Sequence, residues 1–309
     1  MRLGLIGKRQ GLRTGFLAAC LVAALAGPAV ALPTEDPAGA TSYVALGDSY
    51  TAGPGIPNHI PESGGCGRSD HNYPHLVAAA LEIEQFTDVS CGSATTDHMA
   101  HAQPLAGGGM LTGAQVKPAS LTNGPQLDAL SDNVDLVTLG IGGNDIGFGE
   151  IIVACAIRSV VLPITAPCRD HYNRNGDELG RRIDATAPKV AAILAAIRER
   201  APDARMFVVG YPVILPAEGP GCWPLMPIAV GDVAWLGAVE ARLNAMLADE
   251  AARAGATFVD TYSSSVGHDV CRLPGRKWVE GFVPTAPASP VHPNALGMAN
   301  TAEQILAAL

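Results

Sequence analysis

Five short apolar runs rich in β-branched residues punctuate the chain, at 43–46, 88–91, 136–141, 206–210 and 257–259. They are too short for core helices and do not alternate with polar residues, the pattern of strands buried on both faces of a parallel sheet. Helical periodicity fills the intervals. A short helix is predicted over 74–80, a long one over 177–200 bending at Pro188, an Ala/Leu-rich one over 231–253, and a last one over 293–308 with Pro293 in its first turn. Asn123 is expected to cap a turn opening at Gly124-Pro125. Strand–helix alternation predicts an α/β fold, a three-layer αβα sandwich around a central, mainly parallel five-stranded sheet. Long Gly/Pro-rich segments at 53–72, 104–125, 211–230 and 262–291 interrupt the alternation. Ligands of open α/β sheets bind beyond the carboxyl ends of the strands, so the loops that follow strands are where chemistry is expected.

Composition narrows the picture. The 309 residues are 48% hydrophobic and 16% charged, which excludes intrinsic disorder. Residues 1–31 carry Arg2, Lys8, Arg9 and Arg13, then an apolar run from Phe16 to Ala26 and the small-x-small Ala29-Val30-Ala31. That is the pattern of a secretory signal, leaving a single domain over 32–309. The alternative, a lipoprotein box ending at Cys20, is weaker because the apolar run continues beyond it. Removing 1–31 leaves 16 basic against 29 acidic residues, or −13, so neither nucleic acid nor an anionic membrane is an expected partner. Stable membrane insertion is not expected either, and a monomer is.

Six cysteines remain after Cys20 is lost: Cys66, Cys91, Cys155, Cys168, Cys222 and Cys271. An even number in an exported chain implies three bridges, and 15 pairings are open. Sequential pairing (66–91, 155–168, 222–271) is the expectation. No metal site is expected: there is no C-x-x-C or H-E-x-x-H, and the pairs His71/His75 and His98/His101 have only passable spacing. Gly107-Gly108-Gly109 lacks the Lys-Ser/Thr of a phosphate loop.

Three local patterns carry chemistry. The first strand runs into Gly47-Asp48-Ser49-Tyr50, where a helix starting after the serine would aim backbone N–H groups at it. The third strand runs into Gly142-Gly143-Asn144-Asp145, whose side-chain amide could donate to a developing oxyanion. His292-Pro293-Asn294-x-x-Gly297 opens the last helix, where a base could fold back. Each alone reads equally as a cap or a turn. Together, in this order and strand context, they resemble the SGNH/GDSL hydrolases, particularly the secreted, disulfide-bonded actinobacterial lipase/esterase branch. The likeness runs from Tyr43 to the final helix.

The resemblance implies a flavodoxin-like fold and a cofactor-free serine esterase or lipase acting on acyl esters. Ser49 would be the nucleophile and His292 the general base. The oxyanion hole would be formed by the Ser49 N–H, a backbone N–H at Gly92 or Ser93, and the Asn144 side chain. Two departures stand out. The family's Cys-x-Gly-Ala-Thr block reads Cys91-Gly92-Ser93-Ala94-Thr95-Thr96, so the family glycine falls on Ser93. The acid that many members carry three residues before the histidine is Ser289 here. A backbone carbonyl near Ser289 is therefore expected to orient the imidazole, with Asp269 as an alternative. The stretch 151–164 is expected to be a buried helix or else a wall of the acyl pocket. Phospholipase A-type activity, carbohydrate O-deacetylation and a non-catalytic binding role are the alternatives. Three tryptophans (Trp223, Trp235, Trp278) offer little of a sugar-stacking platform.

Overall fold

The computed structural model describes residues 40–105 and 122–309; the signal at 1–31 and the glycine run at 107–109 lie outside them. The described residues form one compact unit. Five parallel strands build its sheet: β1 Ser42–Gly47, β2 Gln85–Asp88, β3 Leu136–Gly140, β4 Arg205–Val209 and β5 Thr257–Val259. Their spatial order is β2-β1-β3-β4-β5. The order reverses at β1, the switch point beside which such sheets bind ligands.

Successive residues of the apolar strands enter opposite cores, which is why the runs show no alternation. Val44, Leu46, Val137, Leu139, Met206 and Val208 pack into one layer. It is closed by two long helices, Glu178–Arg200 and Val230–Arg253, through Ile183, Val190, Leu194, Leu243 and Leu247. Tyr43, Ala45, Leu136, Phe207 and Val209 pack on the other side, against Val77 of helix Tyr73–Ala80 and Met298 and Ile305 of helix Ala295–Ala308. The three-layer αβα architecture follows.

Several expectations need correction. The second strand pairs at 85–88, not 88–91: it is an edge strand exposed on alternate residues, so its sequence alternates instead of forming an apolar run. Val89 and Cys91 nonetheless extend the ladder by donating to the Ala45 and Gly47 carbonyls. Asn123 caps nothing; it lies in a two-residue ladder with Gln103–Pro104, and its amide donates to the Val89 carbonyl. The helix expected over 177–200 is the single element Glu178–Arg200 with Pro188 inside it, Asp177 standing outside as its cap. The last helix starts after Asn294, whose side chain accepts from the N–H groups of Leu296 and Gly297, rather than at Pro293. The stretch 151–164 is not a buried helix. Helix Phe148–Ser159 buries Ile151, Ile152 and Cys155, whereas Ile157, Val160, Val161 and Ile164 are exposed.

The three disulfides pair sequentially, Cys66–Cys91, Cys155–Cys168 and Cys222–Cys271. The first ties the Gly-rich turn 61–66 to the end of the β2 segment, beside the mouth of β1.

Candidate active site

β1 delivers its last residues to a crowded point. A Cβ on Gly47 would lie 2.2 Å from Thr51 Oγ1 and 2.7 Å from the Gly140 carbonyl, so only glycine fits. The buried amide of Gln126 clamps that glycine from both sides, accepting from its N–H at 2.8 Å and donating to its carbonyl at 2.9 Å. The chain then turns directly into the helical turn Ser49–Ala52, with Asp48 capping it by accepting from the Tyr50 N–H at 2.8 Å. The cap and the candidate nucleophile are thus adjacent residues. The Ser49 N–H, at the first helical position, points out of the turn unpaired by the helix itself.

His292 is brought to this point from the far end of the chain. Its Nε2 lies 2.8 Å from Ser49 Oγ, and its Nδ1 lies 2.8 Å from the Pro290 carbonyl. A carbonyl only accepts, so Nδ1 carries the proton and Nε2 is left free to take one from the serine. Burial pushes the imidazole below its ordinary 6.5, opposed by the Pro290 bond. The orienting carbonyl is one residue beyond the expected Ser289. The Ser289 carbonyl is occupied in accepting from the His292 N–H at 3.2 Å, which turns the chain so that Pro290 faces the ring. Asp269 plays no part: its carboxylate accepts from the Cys271 N–H and Arg272 Nε.

The histidine loop is fastened by residues that no sequence motif groups. Val291 holds a φ of 59°, unusual for a β-branched residue. Its carbonyl accepts from the Tyr50 hydroxyl at 2.7 Å, and its N–H donates to the Glu280 carbonyl. The Glu280 side chain is fully buried and receives Lys277 Nζ at 2.7 Å, Asn294 Nδ2 at 2.8 Å and the Thr285 N–H at 2.7 Å. Burial pushes its carboxyl up, but the Lys277 bond and the other donors hold it below the usual glutamate value.

Opposite the serine, the 91–96 and 142–145 segments are sewn together. The Thr96 N–H and hydroxyl both donate to the Asp145 carboxylate, and Asn144 Nδ2 donates to the Ala94 carbonyl at 2.9 Å. One amide hydrogen of Asn144 is therefore used to fix the side chain and the other is left for a ligand. The Gly92 N–H is consumed by the Cys66 carbonyl at 2.9 Å, whereas among the described residues the Ser93 N–H meets no acceptor. Ser93 adopts a φ of 64°, in the left-handed region where the family's glycine would sit without strain. Tyr211, which no motif flagged, links both sides: its hydroxyl donates to Asp48 at 2.6 Å and accepts from the Gly143 N–H at 2.8 Å.

These groups open into a cleft of about 950 Å³. Its lining includes the turn residues His59, Ile60, Glu62, Gly64 and Gly65 and the apolar Phe148, Ile152, Val153 and Phe282. The 151–164 stretch thus contributes Ile152 and Val153 to the cleft wall. Among the described residues no cluster of three His, Cys, Asp or Glu side chains could hold a metal. His75 and His98 have local partners in Asn72 and Thr95. No described helix is long and apolar enough to cross a membrane.

Comparison with known proteins places this arrangement. Residues 45–299 match the GDSL-like Lipase/Acylhydrolase family. The chain belongs to that family. This GDSL-family chain is 41% identical to Lipase 2 of Streptomyces coelicolor, over 91% of its own length and 88% of that protein's. Among solved structures it is similar to an extracellular lipase from Streptomyces rimosus, with a TM-score of 0.67 and 28% identity, covering 87% of this chain and 100% of that one. A phospholipase A1 from Streptomyces albidoflavus gives a TM-score of 0.68 at 26% identity, covering 87% and 98%. As a GDSL lipase/acylhydrolase, the chain is an ester hydrolase.

Proposed function

We propose that the protein hydrolyses acyl esters through a covalent acyl-enzyme on Ser49, with His292 as general base and then general acid. The observation that carries this reading is the hydrogen-bonded line from Ser49 Oγ through the imidazole to the Pro290 carbonyl. Nε2 removes the serine proton as Oγ attacks the ester carbonyl. The resulting oxyanion lies where the Ser49 N–H, the Ser93 N–H and the second Asn144 amide hydrogen converge, and each bond strengthens as charge develops. The imidazolium returns its proton to the leaving alcohol, and water attacks the acyl-enzyme by the same base. A carbonyl fixes the tautomer without adding a negative charge, so this is a Ser–His dyad.

The cleft's lining favours an amphiphilic ester, since Phe148, Ile152 and Val153 offer apolar surface to an acyl part while the Gly-rich turn offers polar groups to an alcohol part. That apolar surface supports lipid-like esters over acetylated glycans. Export is part of the reading: three disulfides suit an oxidising compartment, and residues 1–31 have a secretory pattern ahead of a single domain over 32–309. Hydrolysis of p-nitrophenyl esters of increasing acyl length by wild type and Ser49→Ala tests it. Loss of turnover in the variant is expected; equal hydrolysis by both would remove Ser49 from the chemistry.

A further inference from the structure

Behind the catalytic cleft lies a second, smaller chamber of about 40 Å³. It shares Tyr50, Gly143, Phe148, Ile152 and Tyr211 with the cleft, so the two adjoin across the same rings that flank Ser49. Its remaining walls are apolar, among them Ile146, Ile151, Ile214, Leu236 and Leu243, with one exception, Glu240.

Glu240 stands out in sequence and in space. It occupies the stripe Leu236, Glu240, Leu243, Leu247 of helix Val230–Arg253, at the spacing that places all four on the face turned to the core. An apolar residue there would complete the stripe. Instead a half-buried glutamate stands there, with Oε2 accepting a long bond of 3.3 Å from the Ile214 N–H and Oε1 fully buried without a hydrogen-bond partner among the described residues. Neither phenol lining the chamber serves it: the Tyr50 hydroxyl is committed to the Val291 carbonyl and the Tyr211 hydroxyl to Asp48. Burial drives this carboxyl well above the ordinary glutamate range, against the weak Ile214 bond, which favours the protonated form, able both to donate and to accept. A polar group buried without a protein partner is costly, and a group that pairs with it recovers the cost.

We propose that this chamber seats the end of a short acyl chain and that Glu240 is a specificity-determining residue, selecting acyl groups that carry a hydroxyl. The inference rests on the Ser49 acyl-enzyme reading and deepens it. The volume limits the occupant to a few non-hydrogen atoms. A hydroxyl, itself donor and acceptor, matches a neutral carboxyl without bringing charge into an apolar space. A plain methyl of the same size would leave Oε1 unpaired.

The test uses isosteric pairs of p-nitrophenyl esters whose hydroxyl cannot readily close a lactone: 3-hydroxybutanoate against 3-methylbutanoate, and 3-hydroxypentanoate against 3-methylpentanoate. The readout is the ratio of kcat/KM within each pair, which does not depend on how much of a preparation is folded. In wild type the hydroxylated ester is expected to be favoured about tenfold or more in at least one pair. Glu240→Leu is expected to bring that ratio to one or below. Glu240→Met, unbranched and closer in shape, replaces it should the leucine variant not fold. A ratio of one or below in every wild-type pair, or an unchanged ratio in the apolar variant, would overturn the assignment. Ser49→Ala run on the same esters separates the two levels: loss of all hydrolysis with ratios of one in wild type sinks the role of Glu240 alone, whereas undiminished hydrolysis sinks the Ser49 reading beneath it.

Discussion

The hydroxyl of Tyr211 lies 2.6 Å from the carboxylate of Asp48, 163 residues away in sequence, and ties the nucleophile turn to the loop that carries Asn144. The same oxygen accepts from the Gly143 N–H, so serine and oxyanion donor are registered against one buried phenol. Burial raises the Asp48 carboxyl to about 7, the Tyr211 bond working against that rise. Tyr211→Phe removes both bonds while keeping the ring against Tyr50. Loss of a buried hydrogen bond of this kind costs ~1–3 kcal/mol. The expected result is a lower unfolding midpoint in urea and a fall in kcat with KM little changed, since the substrate's own contacts remain.

The pH dependence follows from His292. The base must be neutral to accept the Ser49 proton, and burial holds its pKa below the ordinary 6.5. Protonation therefore sets in only as pH falls beneath that value, and activity persists through mildly acidic conditions before it is lost. A profile of kcat/KM against pH should show an acid limb with its midpoint below 6.5. The limb should survive in Asp48→Asn, which removes the other group titrating nearby; its disappearance there would assign it to Asp48.

In the proposed mechanism Asn144 supplies a donor as the oxyanion forms. Asn144→Ala is expected to lower kcat by ~10²–10³, the usual effect of deleting one such donor, with a small change in KM. Because the side chain also bonds the Ala94 carbonyl, a modest loss of thermal stability should accompany it. A variant within a few-fold of wild type in kcat would remove the amide from the oxyanion hole.

In the proposed oxyanion hole Ser93 donates through its main chain, so its side chain is expected to be dispensable. A non-glycine residue at φ 64° carries a conformational penalty that glycine lacks. Ser93→Gly should retain activity and gain up to ~1 kcal/mol in chemical denaturation, after the larger chain entropy of glycine in the unfolded state is subtracted. Collapse of kcat in this variant would show that the serine hydroxyl, not the backbone, acts there.

Much of the frame was legible in the sequence because it depends on local pattern. β1, β3 and β4 are buried almost throughout and read as unbroken apolar runs. Of the two edge strands, β5 was still legible from Phe258 and Val259 although Thr257 is exposed, whereas β2 was not, since alternate residues along it meet solvent. Ser49, Asn144 and His292 were legible because each follows a strand or precedes a helix within a recognisable block. Their supports were not. Gln126, Tyr211, Glu280 and Lys277 act across long sequence separations, and an isolated Gln, Tyr or Lys–x–x–Glu has no distinctive pattern. The choice between Gly92 and Ser93 also needed coordinates, because it turns on the Cys66 carbonyl consuming one N–H. The orienting carbonyl fell on Pro290 instead of Ser289 for a similar reason, a tight turn that sequence does not dictate.

Intact-mass analysis after treatment with a fluorophosphonate tests the central claim most directly, since the reagent phosphonylates a serine only where a base activates it. Wild type should gain a single adduct, mapped by peptide sequencing to Ser49, and both Ser49→Ala and His292→Ala should gain none. Unmodified wild type under conditions where it hydrolyses esters, or an adduct that persists in Ser49→Ala, would contradict the account.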